Sequence, residues 1–304
     1  MSNTDLSQRR CGFVTLIGAP NAGKSTLTNR LVGAKVSIVT HKVQTTRARL
    51  RGILMAGDVQ VVLVDTPGIF TPRRRLDRAM VDAAWSGARE GDVVLFMVDV
   101  ERGLNKDAER ILKGLGQLGG IKALVLNKID ESGKDKLLEL TAQICELAQF
   151  DQTFMISALR GHGVEDLKSY LVDKMPLGPW HFPDDQLVDA PMMLTAAEIT
   201  REKIYMRLHQ ELPYASTVET TSWKNLDNGS VRIEQTIFVE RDSQKMIVLG
   251  KGGRSIKAIS QESRHELSEI LDVPVHLFLF VKVRENWGDD PERYRGIGLD
   301  FPKN

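Results

Sequence analysis

Along the first half of the chain, short apolar runs alternate with stretches whose apolar positions recur every three or four residues, which predicts a βαβ array on a mainly parallel sheet. The strand candidates are 13–17 (FVTLI), 60–64 (QVVLV), 93–98 (VVLFMV), 122–126 (KALVL) and 153–156 (TFMI). Open α/β sheets bind ligands beyond the carboxyl ends of their strands, so the residues just after these runs are where chemistry is sought. Around 175–190 the period is lost in MPLGPWHFPDDQLVDAP, whose four prolines and adjacent acids read as a linker. A helix over about 191–210 follows, then strands near 216–224 and 230–240, a short helix, a turn at Gly250, a helix to about 271 and a strand at 274–283. That α-β-β-α-α-β order fits one small α+β domain. The expected division is an N-terminal tail (1–10), an α/β domain (11–175), a linker (176–190), an α+β domain (191–285) and a C-terminal tail (286–304). No repeat or low-complexity tract interrupts it.

The 304 residues, 42% hydrophobic and 27% charged, suffice for two cores. Net charge is +1, but residues 1–180 hold 25 Lys/Arg against 20 Asp/Glu and residues 181–304 hold 16 against 20. Any RNA or lipid contact by the second half therefore needs a local patch. Cys11 and Cys145 allow neither a disulfide framework nor a thiolate zinc site, and both are expected to be small buried residues. No run approaches the roughly 18 apolar residues of a membrane span, and MSNTDLSQRRCGFV lacks the apolar stretch of a secretion signal, so a cytoplasmic location is expected.

Gly18-Ala19-Pro20-Asn21-Ala22-Gly23-Lys24-Ser25 fits GxxxxGK[ST] between a strand and the helical stretch STLTNRLVG. Its glycines let backbone N–H groups, from Asn21 and Ala22 through Gly23 to Thr26, turn onto phosphates at a helix N-terminus. Lys24 would reach the β- and γ-phosphates and Ser25 would ligate Mg²⁺. Asp65-Thr66-Pro67-Gly68 follows QVVLV: a strand-end carboxylate can hold the metal through water, and the Gly68 N–H can sense the γ-phosphate. Between them, Gln44-Thr45-Thr46-Arg47 offers a threonine hydroxyl to the metal, with Thr46 preferred to Thr45 although the sequence fixes no register. Asn127-Lys128-Ile129-Asp130 follows KALVL, and the Asp130 carboxylate can accept from guanine N1–H and the exocyclic amine, a pair adenine does not present. Asn127 would brace the loop, Lys128 would cover the base face with its stem, and Ser157-Ala158-Leu159 would add a backbone N–H to guanine O6. Lys24, Thr46 and Gly68 are thus the candidate catalytic residues, and Ser25, Thr46 and Asp65 the candidate metal ligands. Ile69 stands where a water-orienting glutamine would, so water is positioned by other means.

GAPNAGKS, VQTTRAR, DTPGI, NKID and SAL, followed by REKIYMRLHQELPY and VLGKGGRSIKAI, resemble the Era family of ribosome-associated GTPases within the TrmE–Era group, over about residues 11–290. The resemblance implies a P-loop GTPase domain with a mainly parallel sheet, a smaller C-terminal α+β KH domain of type II, and turnover of GTP to GDP with Mg²⁺. It also implies a K⁺ site at Asn21, although a P-loop asparagine can equally stabilise its own turn. Gly250-Lys251-Gly252-Gly253 has the form of the GxxG loop by which KH domains clamp single-stranded RNA. From Ser243 to Gln261 the charges are Lys245, Lys251, Arg254 and Lys257 with no acid, the local patch required; Ile247, Val248, Ile256 and Ile259 are expected to be the buried face. By resemblance the target is the 3′ end of small-subunit rRNA during 30S maturation; the chain is expected to act as a monomer, although its residues do not reveal an oligomeric state.

Arg47, Arg49 and Arg51, with Arg73, Arg74, Arg75 and Arg78, form basic runs that suit rRNA, an acidic lipid surface such as the cytoplasmic face of the inner membrane, or plain solvation. His41, His162 and His209 lack metal spacing, and Trp180, Trp223 and Trp287 are expected in packing roles. An RNA-binding switch competes with a nucleotide-gated scaffold in which hydrolysis is incidental. A tRNA-modifying enzyme lacks any cysteine or folate-site signature.

Overall fold

The computed structural model describes residues 8–208, 212–285, 287 and 290–302, so His209 and parts of both expected tails lie outside the described residues. Two compact units emerge: Met1–Ser37 with Thr46–Asp189 and Gly298–Asn304, and Ile38–Thr45 with Ala190–Ile297. The first has the order β1 (Arg10–Gly18), α1 (Lys24–Val32), β2 (Leu50–Ala56), β3 (Val59–Asp65), α2 (Arg75–Glu90), β4 (Val93–Asp99), α3 (Lys106–Leu115), β5 (Ile121–Asn127), α4 (Lys134–Leu147), β6 (Gln152–Ile156), α5 (Val164–Lys174) and β7 (Val188–Asp189). Its described strands form one sheet in the order β6-β5-β4-β1-β3-β2-β7. β1 runs parallel to β3 and β4, and β4, β5 and β6 continue parallel.

The unbroken apolar runs are explained by helices on both faces of the sheet. Along β4, Val93, Leu95 and Met97 enter one core cluster while Val94, Phe96 and Val98 enter the other. Each fully buried side chain of this size contributes about 1.5–3 kcal/mol. Helix starts are set locally: Asn105 Oδ1 accepts from the N–H groups of Asp107 and Ala108 at 3.0 Å to start α3, and Asp77 accepts from Arg73 and Arg74 N–H ahead of α2.

Two strands fall outside the sequence expectation. β2 is antiparallel to β3 through a hairpin whose connection is Gly57-Asp58, with Gly57 at φ 59°, a turn signal that mixed polarity around Gly52 obscures. β7 lies inside the expected linker and pairs antiparallel with β2. The linker is pinned by Gln60, 0% exposed on β3, whose Oε1 accepts from His181 and Phe182 N–H while its Nε2 donates to Phe182 O at 2.8 Å. Cys11 is buried as expected, but Cys145 is exposed, because α4 turns Leu137, Leu140 and Ile144 inward and places Cys145 on its outer side. Trp180 lies under Arg9 at 4.0 Å and donates to Asp58 O.

The second unit contains α6 (Met192–Arg207), β8 (Ser216–Asn225), β9 (Val231–Val239), α7 (Asp242–Leu249), α8 (Arg254–Leu271), β10 (Val275–Val283) and α9 (Pro291–Gly296). β9 is central, antiparallel to β8 and parallel to β10. Ile204 and Ile199 of α6 and Ile259 and Leu267 of α8 cover the sheet beside Ile233 and Ile237. Trp287 Nε1 donates to Ala215 O, satisfying a buried indole. Inside this core Thr200 Oγ1 donates to Gln235 Oε1 at 2.6 Å, both residues being 0% exposed. Thr200→Val orphans that amide oxygen, and urea unfolding of the variant is expected to show a loss of about 1–3 kcal/mol with unchanged m-value.

Candidate functional site

β1 ends at Gly18, where a Cβ would lie 2.5 Å from Met97 O, so only glycine lets the chain leave the sheet at this point. Asn21 (φ 66°) and Gly23 (φ 98°) take the left-handed conformation, and α1 begins at Lys24. The N–H groups of the first helical turn, Lys24, Ser25 and Thr26, have no carbonyl acceptor within the helix, an arrangement suited to an anion. Lys24 is 6% exposed and its Nζ donates to Gly18 O and Ala19 O at 3.1 Å. Burial pulls its pKa down to about 8, against the opposing pull of Asp65.

Three oxygens converge beside it. Ser25 Oγ donates to Asp65 Oδ2 at 2.6 Å and lies 2.9 Å from Thr46 Oγ1, which itself is 3.5 Å from Oδ2. Asp65 is 0% exposed, its Oδ1 has no hydrogen-bond partner, and burial pushes its carboxyl up despite the Ser25 hydroxyl and Lys24. An octahedral Mg²⁺ with oxygen bonds of about 2.0–2.1 Å needs neighbouring ligands about 2.9 Å apart, a spacing the Ser25 and Thr46 hydroxyls meet, and the Asp65 carboxylate beside them adds the negative charge such an ion calls for. Thr45 is turned elsewhere: its Oγ1 meets Thr40 Oγ1 at 2.6 Å and donates to Lys42 O at 2.7 Å. Gly68 lies against the loop, where a Cβ would be 2.9 Å from Pro20. Ile69 is 0% exposed in the core, with its N–H bonded to Gly18 O, so its side chain is not available to orient water.

The base-side residues gather at the ends of β5 and β6. Asn127, 2% exposed, donates to Ala22 O at 2.8 Å and accepts from Ala158 N–H at 2.9 Å, bracing one loop against another. A Cβ on Gly23 would lie 2.1 Å from its Nδ2, which makes that glycine obligatory twice over. Lys128 (φ 68°) sends Nζ to Asp99 Oδ2 at 2.6 Å, stretching its stem across the site. Asp130 is exposed, and the Ser157 hydroxyl, then Arg160, holds its carboxyl below the usual range. Ser157 N–H bonds to His162 O, while Leu159 is 67% exposed.

Sequence reasoning misses the residues that hold these loops. Asn29 accepts from Val36 and Ser37 N–H and donates to Ser37 O, and Arg30 donates through Nε to Ala158 O at 2.9 Å. Neither has a local signal, because each partner is set by the tertiary fold. Among the basic runs, Arg49 pairs with Glu90 and Arg51 with Asp189, both at 2.9 Å, and Arg47 is buried.

In the second unit, Gly250 (φ 72°), Gly252 (φ 63°) and Gly253 (φ 74°) form the turn between α7 and α8. Gly250 packs against Ser255, while Gly252 faces open space. Lys251, Arg254 and Lys257 are exposed. Val248 and Ile259 are buried and Ile256 half-buried, but Ile247 is 56% exposed beside Met246 at 66%: the short α7 turns only Val248 fully inward, leaving an apolar shoulder next to the loop. Glycines that admit a backbone, flanking cations and an apolar shoulder suit single-stranded nucleic acid.

Residues 13–128 match the family described as 50S ribosome-binding GTPase, and residues 211–288 match the KH domain family. GTPase Era of Rhizobium meliloti is 64% identical over 294 residues, covering 97% of this chain and 94% of that protein. GTPase Era of Agrobacterium fabrum is 65% identical, covering 97% and 93%. Among solved structures, a variant Era of Aquifex aeolicus bound to GDP and AlF4⁻ superposes with TM-score 0.90 at 36% identity, covering 95% of this chain and 99% of that one. Era in complex with MgGDPNP and nucleotides 1506–1542 of 16S ribosomal RNA gives TM-score 0.91 at 36% identity, covering 96% and 99%.

The lowered pKa of Lys24 gives anion binding at this ammonium a defined pH dependence. Were nucleotide phosphates to bind it, binding above pH about 8 would take up a proton and affinity would fall by up to about tenfold per pH unit. Calorimetry in buffers of differing ionisation enthalpy is expected to show proton uptake at pH 9 that shrinks markedly at pH 7.

Proposed function

The chain belongs to the Era family of GTPases, and from that membership and the geometry above we propose a magnesium-dependent switch whose KH domain binds the single-stranded 3′ end of small-subunit rRNA during 30S assembly. It is a GTP-hydrolysing enzyme. The observation that carries the magnesium-dependent chemistry is the convergence of Ser25, Thr46 and Asp65 oxygens beside the buried Lys24 ammonium.

Ser25 and Thr46 would hold Mg²⁺ directly and Asp65 through water; bound there, the ion supplies positive charge to the β- and γ-phosphate oxygens. Lys24 binds the same oxygens, and its desolvated ammonium interacts with them more strongly than it would in water. The first-turn N–H groups of α1 would add donors to the phosphates. Water attacks the γ-phosphorus in line as the bond to the bridging oxygen breaks, giving GDP and phosphate. With Ile69 in the core, backbone around Gly68 orients that water, and turnover without an activator is slow. Asn21 would hold a potassium ion, which would supply further positive charge beside the phosphates. Asp130 selects guanine, Lys128 covers it, and Asn127 with Ser157, Ala158 and Leu159 shapes its pocket.

GTP orders the segment around Thr46 and Gly68, and hydrolysis releases it, which biases RNA binding by the loop Gly250–Gly253. The protein is proposed to work as a cytoplasmic monomer, with Arg73–Arg75 and Arg78 adding contacts to ribosomal phosphates and, more weakly, to the cytoplasmic face of the inner membrane. No helix among the described residues is long and apolar enough to cross a membrane.

Binding of oligonucleotides from the 3′ end of small-subunit rRNA is measured with a GTP analogue and with GDP. Tighter binding in the analogue state is expected; equal, negligible binding in both states refutes the ribosomal role. Gly252→Asp places an acid and a strained φ at the phosphate-facing turn, and retention of these oligonucleotides is expected to drop at least about tenfold with RNA-free GTP turnover unchanged. Unaltered retention would favour the nucleotide-gated scaffold. Asp130→Asn swaps an acceptor for a donor, so affinity should fall for GTP by about tenfold or more and rise for xanthosine triphosphate, whose C2 oxygen accepts that donor.

A further inference from the structure

The second unit contains a stretch that the sequence assigns to the first: Ile38–Thr45 clusters with Ala190–Ile297. Four residues of α6 or its end hold this stretch. Glu202 Oε1 accepts from Val39 N–H at 2.9 Å, the carbonyls of Tyr205 and Leu208 accept from Lys42 Nζ, Tyr205 donates to Gln44 O at 3.3 Å, and Arg201 Nη2 donates to Thr45 O.

Arg201 differs in kind from the others. It is 1% exposed, its Nε donates to Glu198 Oε1 at 2.8 Å, and its Nη2 is shared between Glu198 Oε2 and Thr45 O. The guanidinium carbon lies 5.1 Å from the Tyr205 ring centre, and Nη1 is buried without a hydrogen-bond partner. A buried cation with an unsatisfied nitrogen is a poor way to stabilise a helix, since apolar residues of similar volume commonly serve as well or better. Its position makes sense through what it grips. The oxygen of Thr45 belongs to the rigid peptide plane whose nitrogen is that of Thr46, so holding that oxygen orients the residue that follows. Thr46 Oγ1 is the atom found 2.9 Å from Ser25 Oγ and 3.5 Å from Asp65 Oδ2.

We infer that Arg201 is a positioning residue for GTP hydrolysis: by holding the Thr45 carbonyl it fixes the Thr45–Thr46 peptide plane and presents the Thr46 hydroxyl to the metal site. The inference rests on the proposed reading of Ser25, Thr46 and Asp65 as the oxygens that hold Mg²⁺. Nothing in the nucleotide motifs signals such a residue, because it lies more than 150 positions downstream of the threonine it orients. Arg201 touches neither nucleotide nor metal in this role. It acts through one backbone carbonyl, and its effect is confined to states that use Thr46. GDP, gripped by the loop after Gly18 and by the base-side residues, is held without it.

The test uses the full-length chain with Arg201→Met, Arg201→Lys and Thr46→Ala. The magnesium concentration needed for half-maximal binding of a non-hydrolysable GTP analogue is measured by calorimetry, alongside GDP affinity, single-turnover hydrolysis and thermal melting. Arg201→Met keeps side-chain bulk but lacks the donor, and it is expected to raise the magnesium requirement about tenfold and slow hydrolysis comparably, with GDP affinity within about twofold. Arg201→Lys keeps the charge beside Glu198 but not the fork, and a rise of about threefold is expected. A packing defect alone would lower the melting temperature without separating the analogue from GDP. If Thr46→Ala shows the defect and folded Arg201→Met does not, the inference is overturned while the metal-site reading stands. If Thr46→Ala itself changes nothing, the metal-site reading and the inference fall together. Should Arg201→Met fail to fold, Arg201→Lys decides alone, and an unchanged magnesium requirement in it overturns the inference.

Discussion

A lysine ammonium and an aspartate carboxylate, both withdrawn from water where neighbouring parallel strands end, set the conditions for the first unit. Lys24 follows β1 by six residues and Asp65 closes β3, whose register places Leu16 opposite Asp65. Burial moves each group toward its neutral form, so without phosphates and a cation both are held at a free-energy disadvantage. The surrounding structure maintains that arrangement: Gly18, Gly23 and Gly68 are positions where any side chain would strike a carbonyl, an amide or a proline. The sheet supplies the rigidity, through strands whose apolar side chains are packed into a core on each face. Stability invested in the sheet thus offsets strain at its carboxyl edge.

How much of this is readable from the chain depends on how far apart the interacting residues are. A glycine-rich turn and strand-end carboxylates are built from consecutive residues, so 18–25, 65–68 and 127–130 announce themselves as site candidates, and the parallel array follows from its apolar runs. The sequence offers no physical reason to prefer Thr46 over Thr45; the geometry supplies one, since Thr45 commits its hydroxyl to Thr40 and Lys42. β2 escapes a reading by apolar runs because Gly52 and flanking arginines dilute its apolar character. β7 is hidden in a proline-rich stretch whose order comes from Gln60, a distant polar residue with no local signature. Ile247 and Cys145 show the same limit from the other side: apolar character does not say which face of a helix is turned inward.

The two candidate sites answer the problem of binding an anionic backbone differently. At the nucleotide loop, glycines are forced by crowding and the cation is buried, which suits a small ligand held in one pose. At Gly252 a Cβ would meet nothing within 4 Å, and Lys251, Arg254 and Lys257 stand in water. That openness suits a flexible polymer gripped through its phosphates, with Met246 and Ile247 offering apolar surface to bases. Within a half that carries excess acid overall, the absence of acids from Ser243 to Gln261 leaves this patch as the local attractor.

The placement of Ile38–Thr45 bears on inheritance as well as on chemistry. A stretch encoded in the first half packs with residues 190–297, so its complement of partners, Arg201, Glu202 and Tyr205, is specified some 160 codons downstream. Recombination that exchanged only one half between distant relatives would part lock from key while leaving every recognisable motif intact. Substitutions at 38–45 and along α6 are therefore expected to drift together, so that paired changes between them across lineages would record the fit of one stretch to the other.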